Sequence, residues 1–187
     1  MPTRDFRIEQ AAAVLAAGGV VAYPTEAVWG LGCDPWNEQS VARLLQLKVR
    51  SVDKGLILIA ASQDQLDWLL HDLSQAQRSR LQLSWPGPTT WLVPHSGRVP
   101  PWVCGAHDSV AVRVSAHPVV QKLCLAWGGP LVSTSANVSG TQAAREQFQV
   151  RRYFGDAVDA LVPGSTGNSE RPSTIRDLVT DRVIRQG

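Results

Sequence analysis

Pro118-Val119-Val120-Gln121-Lys122-Leu123-Cys124-Leu125-Ala126-Trp127, then Gly128-Gly129-Pro130, then Leu131-Val132-Ser133-Thr134-Ser135-Ala136-Asn137, is the stretch whose reading decides the fold. Pro118 is preorganised for a helix start, the paired glycines are a stop signal, and the apolar run after them has the length and branching of a buried strand. The strand ends in hydroxyls and an amide. A helix feeding a buried strand that ends in polar residues is the repeating unit of an α/β domain, with its crevice at the strand ends.

The same grammar extends outward. Ile8 to Ala17 has helical periodicity and stops at Gly18-Gly19, and Val20 to Tyr23 is a strand ended by Pro24. Asn37 is placed to cap a helix through Leu47, on which Val41, Leu44, Leu45 and Lys48 follow three-four spacing. Leu56 to Ile59 is a core strand, with Ser62 as the cap of a helix through Leu70. Ser74 opens another helix that ends before Trp85-Pro86-Gly87-Pro88. Thr89 to Val93, Ser109 to Val114, Asp159 to Val162, Ser173 to Leu178 and Arg182 to Arg185 read as strands, and Gln142 to Phe154 as a helix. Several strands follow one another without an intervening helix, which predicts a mixed sheet. Residues 1–187 form one domain, since the chain has no repeat, linker or low-complexity tract and is too short for two ordinary domains.

Composition narrows the class. With 44% hydrophobic and 18% charged residues the chain is globular, and no apolar run reaches the length of a membrane span. Glu9 and Gln10 interrupt the N-terminal alanine-rich stretch, so it is no secretory signal, and a cytoplasmic protein is expected. Cys33, Cys104 and Cys124 are odd in number and widely spaced, which argues against a disulfide framework. Cys104 and His107 have metal-like spacing without a second pair. No Rossmann or P-loop glycine motif occurs.

Four polar clusters fall at predicted strand ends: Pro24-Thr25-Glu26, Lys48-Val49-Arg50, Ser133-Thr134-Ser135-Ala136-Asn137 and Ser173-Thr174-Ile175. Arg113 lies inside a strand, where it either points to solvent or lines a cavity, and Arg185 occupies a similar position in the last strand. Lys48, Arg50, Lys54, Arg113 and Arg185 together can neutralise several phosphates, and the hydroxyls with Asn137 can orient an amino acid or a ribose. His71, His95, His107 and His117 lie outside the clusters and read as loop or surface residues. The residues themselves lead to a basic cavity with hydroxyls and an anionic, phosphate-bearing ligand.

At these clusters the sequence resembles the YrdC family of threonylcarbamoyl-AMP synthases, in its short bacterial form. The likeness rests on Tyr23 to Gly32, Lys48-Val49-Arg50 with Val52 to Ala60, Trp85 to Thr90, Ala111 to Val114, Ser133 to Gly140, Pro172 to Ile175, and Arg185-Gln186-Gly187, seven blocks in order. The resemblance implies a twisted mixed sheet with flanking helices around a deep basic cavity. It also implies a reaction: the amine of L-threonine takes up bicarbonate or CO2, and the carbamate attacks the α-phosphate of ATP and releases pyrophosphate. That product would feed the machinery that makes threonylcarbamoyladenosine (t6A) in tRNA.

On matching positions, Thr25, Arg113, Ser133 and Ser173 would hold threonine, and Lys48, Ser109, Ser135 and Arg185 would hold ATP. Lys48, Arg50, Ser135 and Asn137 would form the catalytic K-x-R and S-x-N set. Mg2+ would arrive with ATP, with no dedicated metal site. Ser51 stands where the family usually has proline, and Trp29 where it has tyrosine or phenylalanine, so a looser loop and a reshaped wall are expected. Two other readings stand beside this one: a non-catalytic module that binds tRNA or another structured RNA, and a related fold acting on a sugar phosphate, as in dihydroxybutanone phosphate synthase. The last would want an acidic metal cluster.

Overall fold

Strand β6 (Leu131–Ser135) lies inside a nine-stranded mixed sheet of order β7-β1-β2-β6-β3-β5-β4-β8-β9. The computed structural model describes residues 5–187; the first four residues of the expected domain, Arg4 among them, lie outside the described residues. The other strands are β1 (Val21–Pro24), β2 (Trp29–Cys33), β3 (Ile57–Ala60), β4 (Thr89–Pro94), β5 (Ser109–Val114), β7 (Ala160–Leu161), β8 (Thr174–Asp177) and β9 (Val183–Arg185). β1/β7, β3/β5 and β4/β8 pair parallel, and the other five pairings are antiparallel. The helices are α1 (Phe6–Ala16), α2 (Glu38–Lys48), α3 (Asp67–Leu70), α4 (Gln75–Ser84), α5 (Pro101–Cys104), α6 (Pro118–Trp127) and α7 (Gln147–Phe154).

Alternation along the strands divides the side chains between two faces. Trp29, Leu31, Leu58, Ala60, Val112, Val114 and Val132 point to one face. There they meet Val41, Leu44 and Leu45 of α2, Leu69 and Leu70 of α3, Leu81 of α4, Val103 of α5 and Val150 of α7. The opposite face carries Val21, Tyr23, Ile59 and Leu131 under α1 and α6, which supply Ile8, Leu15, Val120 and Leu123. On that second face, helices do not cover β5, β4, β8 and β9 as they cover β1. Side chains on the exposed stretch of this face form the floor of a cavity.

Most predicted elements are present, and the departures have local causes. Asn37 caps α2 by accepting from Ser40 N at 3.1 Å, and Ser74 with Gln77 forms a capping box on α4. Ser62 caps nothing: a short 3-10 turn over Asp64–Leu66 precedes α3, and Gln65 Oε1 instead accepts from Ala61 N at 2.9 Å. The helix expected from Gln142 begins only at Gln147. Residues before it are held extended, with Ala144 N bonded to Ala136 O and Gln149 Oε1 accepting from Arg145 N and Glu146 N. Strand β2 and the one-turn helix α5 went unread. Among the described residues, no helix is long and apolar enough to cross a membrane.

Candidate active site

Sheet register assembles the cavity floor before any loop contributes. Ser133 lies opposite Gly32 and Ile57, Ile57 opposite Ala111, and Ala111 opposite Leu92, so these residues form one transverse row on one face. Gly30 sits opposite Ser135 on the same face, and Arg113 and Ser109 flank Ala111 on β5. A cavity of about 500 Å3 stands on this floor, within the range of small-molecule sites. Gly30 keeps it open: a Cβ there would lie 3.3 Å from the Tyr23 ring, 3.4 Å from Thr25 Cγ2 and 3.6 Å from Ser133 Oγ.

Among the described residues five cations line the cavity: Arg50, Lys54, Arg113, Arg171 and Arg185. Glu26 is the single acidic residue among the lining side chains. Its Oε2 lies 3.2 Å from Arg113 Nη2, and its Oε1 accepts from Ser115 Oγ at 2.7 Å and from Ala116 N at 3.0 Å. Burial raises the Glu26 pKa, but the Arg113 charge and these hydrogen bonds outweigh it and hold the carboxyl below its ordinary value. The pair leaves four other cations uncompensated by any lining carboxylate, which is the electrostatic signature of a polyanion site.

Nine of the ten expected site residues line the cavity. Thr25, Arg113, Ser133 and Ser173 come together from the β1–β2 turn, β5, β6 and the start of β8, all buried. Thr25 Oγ1 donates to Val28 O at 2.7 Å, and Thr90 Oγ1 donates to Ser173 Oγ at 2.8 Å, so both hydroxyl oxygens keep acceptor capacity. Ser109, Ser135, Asn137, Arg50 and Arg185 line the remainder. Arg185 Nη2 donates to Ser173 O at 2.8 Å, which ties the last strand to the threonine-side cluster.

Lys48 is the exception. Its position on the apolar three-four stripe of α2 buries it, and its ammonium donates to Ser135 O, to Asn137 O at 2.8 Å and to Asn137 Oδ1 at 3.5 Å. Its own carbonyl accepts from Ser139 N at 2.8 Å. Lys48 therefore supports the Ser135–Asn137 segment from behind, while Arg50 turns into the cavity. Val49 makes the divergence, because it ends α2 in the left-handed region at φ 50°. Ser135 Oγ donates to Asn137 Oδ1 at 2.6 Å, and Asn137 Nδ2 donates to Val138 O and Thr141 O, so the S-x-N residues form one closed network on the lysine.

Arg50 Nη2 donates to Gly55 O at 2.9 Å, while its Nε is buried without a partner. Burial lowers the pKa of Arg50, and burial with Arg113 nearby lowers that of Arg185. Ser51 does not loosen this loop. Its side chain accepts from Asp53 N at 3.2 Å and its hydroxyl donates to the Asp53 carboxylate at 2.8 Å, so it caps the 3-10 turn over Val52–Lys54. Trp29 borders the cavity but packs in the helix-covered core at 1% exposure.

Arg171 and Ser169, unread in the sequence, enter on the 163–173 connection. That connection is tied down by Gly167 N to Thr25 O and by Ser169 N to Glu26 O. It also corrects His117, which is buried rather than superficial. His117 Nε2 lies 3.1 Å from Ser165 O, so that nitrogen carries the proton. His107 is exposed but borders the cavity, beside Cys104. Among the described residues no three His, Cys, Asp or Glu side chains gather as metal ligands.

Similarity to known proteins agrees with this geometry. The sequence model of the Sua5/YciO/YrdC family, described as "Telomere recombination", matches residues 13–187. A protein of Pseudomonas aeruginosa named threonylcarbamoyl-AMP synthase is 60% identical over 181 residues, which is 97% of each chain. The crystal structure of P. abyssi Sua5 complexed with L-threonine superposes with a TM-score of 0.88 at 33% identity, over 94% of this chain and 52% of that one. E. coli YciO shares the fold, with a TM-score of 0.87 at 23% identity over 98% of this chain and 90% of its own. On its cavity, its sheet order and these likenesses, the chain belongs to the Sua5/YciO/YrdC family.

Proposed function

We propose that the chain makes threonylcarbamoyl-AMP and pyrophosphate from L-threonine, bicarbonate or CO2, and ATP, for t6A formation in tRNA. The observation that carries this reading is one cavity lined by two kinds of group. Buried hydroxyls and a carboxylate-paired arginine (Thr25, Ser133, Ser173, Arg113) are the first, and cations without a lining carboxylate (Arg50, Lys54, Arg171, Arg185) are the second. The first set suits a zwitterionic hydroxy-amino acid, with Arg113 offered to its carboxylate. The second suits a triphosphate. The apolar lining from Leu56, Val110, Ile175 and Ile184 supplies contact for a base.

In the reaction, the threonine nitrogen forms a bond to CO2 carbon and gives up a proton. A carbamate oxygen then bonds to the α-phosphorus as the bond to the bridging oxygen breaks and pyrophosphate leaves. The protein's part is to hold the two anions against each other and to stabilise charge on the phosphoryl oxygens. Arg50, a lining cation that no lining carboxylate pairs, is the group placed to do that, and Ser135 and Asn137 keep the facing loop rigid through Lys48. Glu26, the cavity's carboxylate, is engaged by Arg113, Ser115 and Ala116, so among the described residues the cavity offers Mg2+ no carboxylate cage. Mg2+ fits as an ion carried by the nucleotide phosphates, where it supplies charge neutralisation.

The test is pyrophosphate and AMP-adduct formation with threonine, bicarbonate or ATP-Mg2+ omitted in turn. Full turnover without threonine would overturn the reading. Lys54, Arg171 and Arg185 are exposed at the rim, so tRNA or another structured RNA is proposed as a weaker, salt-sensitive partner at this mouth.

A further inference from the structure

The chain has seven tryptophans. Trp29, Trp85 and Trp91 are buried in the core, and Trp102 packs against it with its indole N–H on Pro35 O at 3.0 Å. The remaining three, Trp36, Trp68 and Trp127, meet at one open depression, together with Asp64, Gly129 and Pro130. Trp68 and Trp127 also pack in part against the two cores, whereas Trp36 belongs to neither. Trp36 is 47% exposed, and large aromatic surface left in water at a concave spot costs free energy unless something covers it.

The rings are held in place. Trp36 and Trp68 stand edge to face, centroids 5.2 Å apart and planes at 68°, so they make two walls of a corner. Trp68 Nε1 donates to Gln65 O at 3.1 Å, and Trp36 N donates to Asp34 Oδ1 at 2.9 Å. The Gln65 side chain clasps the site from below, with Oε1 on Ala61 N and Nε2 on Cys124 O, and Gly128 N and Gly129 N bond that same carbonyl. Three segments distant in sequence are thus fixed around one space before any ligand arrives, which removes much of the ordering cost of binding.

Charge then selects the occupant. Asp64 is exposed, and it is the charged side chain in the lining; no lysine or arginine lines the depression among the described residues, although the chain as a whole is net +2. Perpendicular indole faces with a carboxylate at the rim are complementary to a flat organic cation, which stacks on one ring and pairs with the acid. We propose that this depression is a docking site for an arginine side chain displayed by a partner protein. Guanidinium is favoured over ammonium because it can stack and bond Asp64 through two N–H groups together. The site lies at the start of β6, and the cavity begins at Ser133 on the same strand, about 10 Å from Pro130 at the rise of an extended strand. A partner held there leaves the cavity mouth free, and the proposal does not depend on the reaction assigned to the cavity.

The test uses the full chain, 15N-labelled, with its indole N–H resonances assigned from Trp→Phe variants. It is titrated with acetyl-Gly-Arg-Gly-amide, with its lysine and citrulline counterparts, and with a proline-rich peptide of equal length. The arginine peptide should shift the Trp36, Trp68 and Trp127 signals saturably, equally so with ATP and threonine present. Citrulline, or Asp64→Asn in the exposed carboxylate, should weaken binding about tenfold. Equal binding of citrulline or of the proline-rich peptide would make the depression an apolar slot and overturn the proposal. So would the absence of a saturable shift, or signals that move with protein concentration when no peptide is present, which would indicate a second copy of the chain.

Discussion

Arg113 Nη2 lies 3.2 Å from Glu26 Oε2, and the two side chains are only 10% and 12% exposed. The arginine proposed to receive the substrate carboxylate therefore already holds one. Ser115 Oγ and Ala116 N fix the Glu26 carboxylate on its other oxygen, so the guanidinium is aimed by a group that does not move with it.

Replacing Glu26 by glutamine keeps an oxygen for Ser115 and Ala116 and removes the charge facing Arg113. A largely buried cation is then left unpaired, and stability should fall by about 2–4 kcal/mol. L-threonine should restore more stability to Glu26→Gln than to the parent, because its carboxylate takes the vacant place. Thermal unfolding with and without threonine measures both. Equal threonine-induced shifts in the two proteins would separate Arg113 from substrate binding.

The two cations of Lys48-Val49-Arg50 should respond differently to mutation. Lys48→Met strips the donor from Ser135 O, Asn137 O and Asn137 Oδ1, so the damage passes through the loop, with kcat/KM falling by about 2–4 kcal/mol and ATP KM rising. Arg50→Lys keeps the charge but loses the fork that bonds Gly55 O at the cavity wall, and its loss should appear mainly in kcat. Steady-state kinetics in both substrates distinguishes a loop support from a group acting on the transition state. If both variants match the parent to within about 0.5 kcal/mol, the segment is an ordinary helix end.

Lys48 also shows how far the sequence could be read. The three-four spacing with Val41, Leu44 and Leu45 placed it on the buried side of α2, while its neighbour Arg50 and the nearby Lys54 suggested a phosphate cluster. The spacing accounts for its burial, because helical periodicity fixes direction and local charge does not. Most strands and helix ends were legible for the same reason: they rest on caps, glycine stops and apolar runs. Strand β2 was not, because Gly30 and Gly32 carry no side chain to alternate, and its place follows from pairing with β1 and β6. The nine residues that meet around the cavity come from segments up to 160 positions apart in the chain, Thr25 and Arg185 being the extremes. Motif likeness grouped them. The Glu26–Arg113 pairing, Arg171 and the burial of His117 depend on tertiary approach and left no local signal.

Val49 holds φ 50° with a β-branched side chain that is 73% exposed. Such a residue is strained in the left-handed region and contributes little burial in return. Val49→Gly should raise stability by about 0.5–1 kcal/mol, the usual advantage of glycine after a helix end less its extra chain entropy. Urea unfolding measures it. An unchanged or lower midpoint would mean that another state of the loop, with Val49 relaxed, dominates in solution.

The three cysteines are free and buried, and burial pushes the Cys33 and Cys124 thiols up to about 12. Thiolate is the reactive form, so the native protein should leave these thiols unlabelled by a neutral-pH disulfide reagent that labels all three after denaturation. A folded Cys33/Cys104/Cys124→Ser variant should keep most of its turnover. Rapid native labelling of Cys104, which borders the cavity, with loss of turnover would reveal a thiol the proposed reaction does not use.

Burial first, and the neighbouring Arg50 charge second, lower the Lys48 pKa from 10.5 to about 8. Below pH 8 the lysine is protonated whether the chain is folded or unfolded, and its contribution does not vary. Between about 8 and 10.5 the unfolded chain holds a proton that the folded chain has released. Stability from this group therefore rises with pH across that window, by up to about 1.4 kcal/mol per unit. Activity should move the other way. An ammonium has three N–H donors for its three oxygen partners, whereas the neutral amine has two and turns a lone pair toward a carbonyl oxygen. The Ser135–Asn137 segment then loosens, and kcat/KM should decline with an apparent pKa near 8. Comparing the parent with Lys48→Met in urea midpoints from pH 7 to 10 isolates the first effect, since every other titrating group is common to both. Lys48→Arg, protonated throughout, should lack the alkaline decline whatever its activity at pH 7. An alkaline decline retained unchanged in Lys48→Arg would assign it to another group, and the clamp would then play no part in the pH dependence.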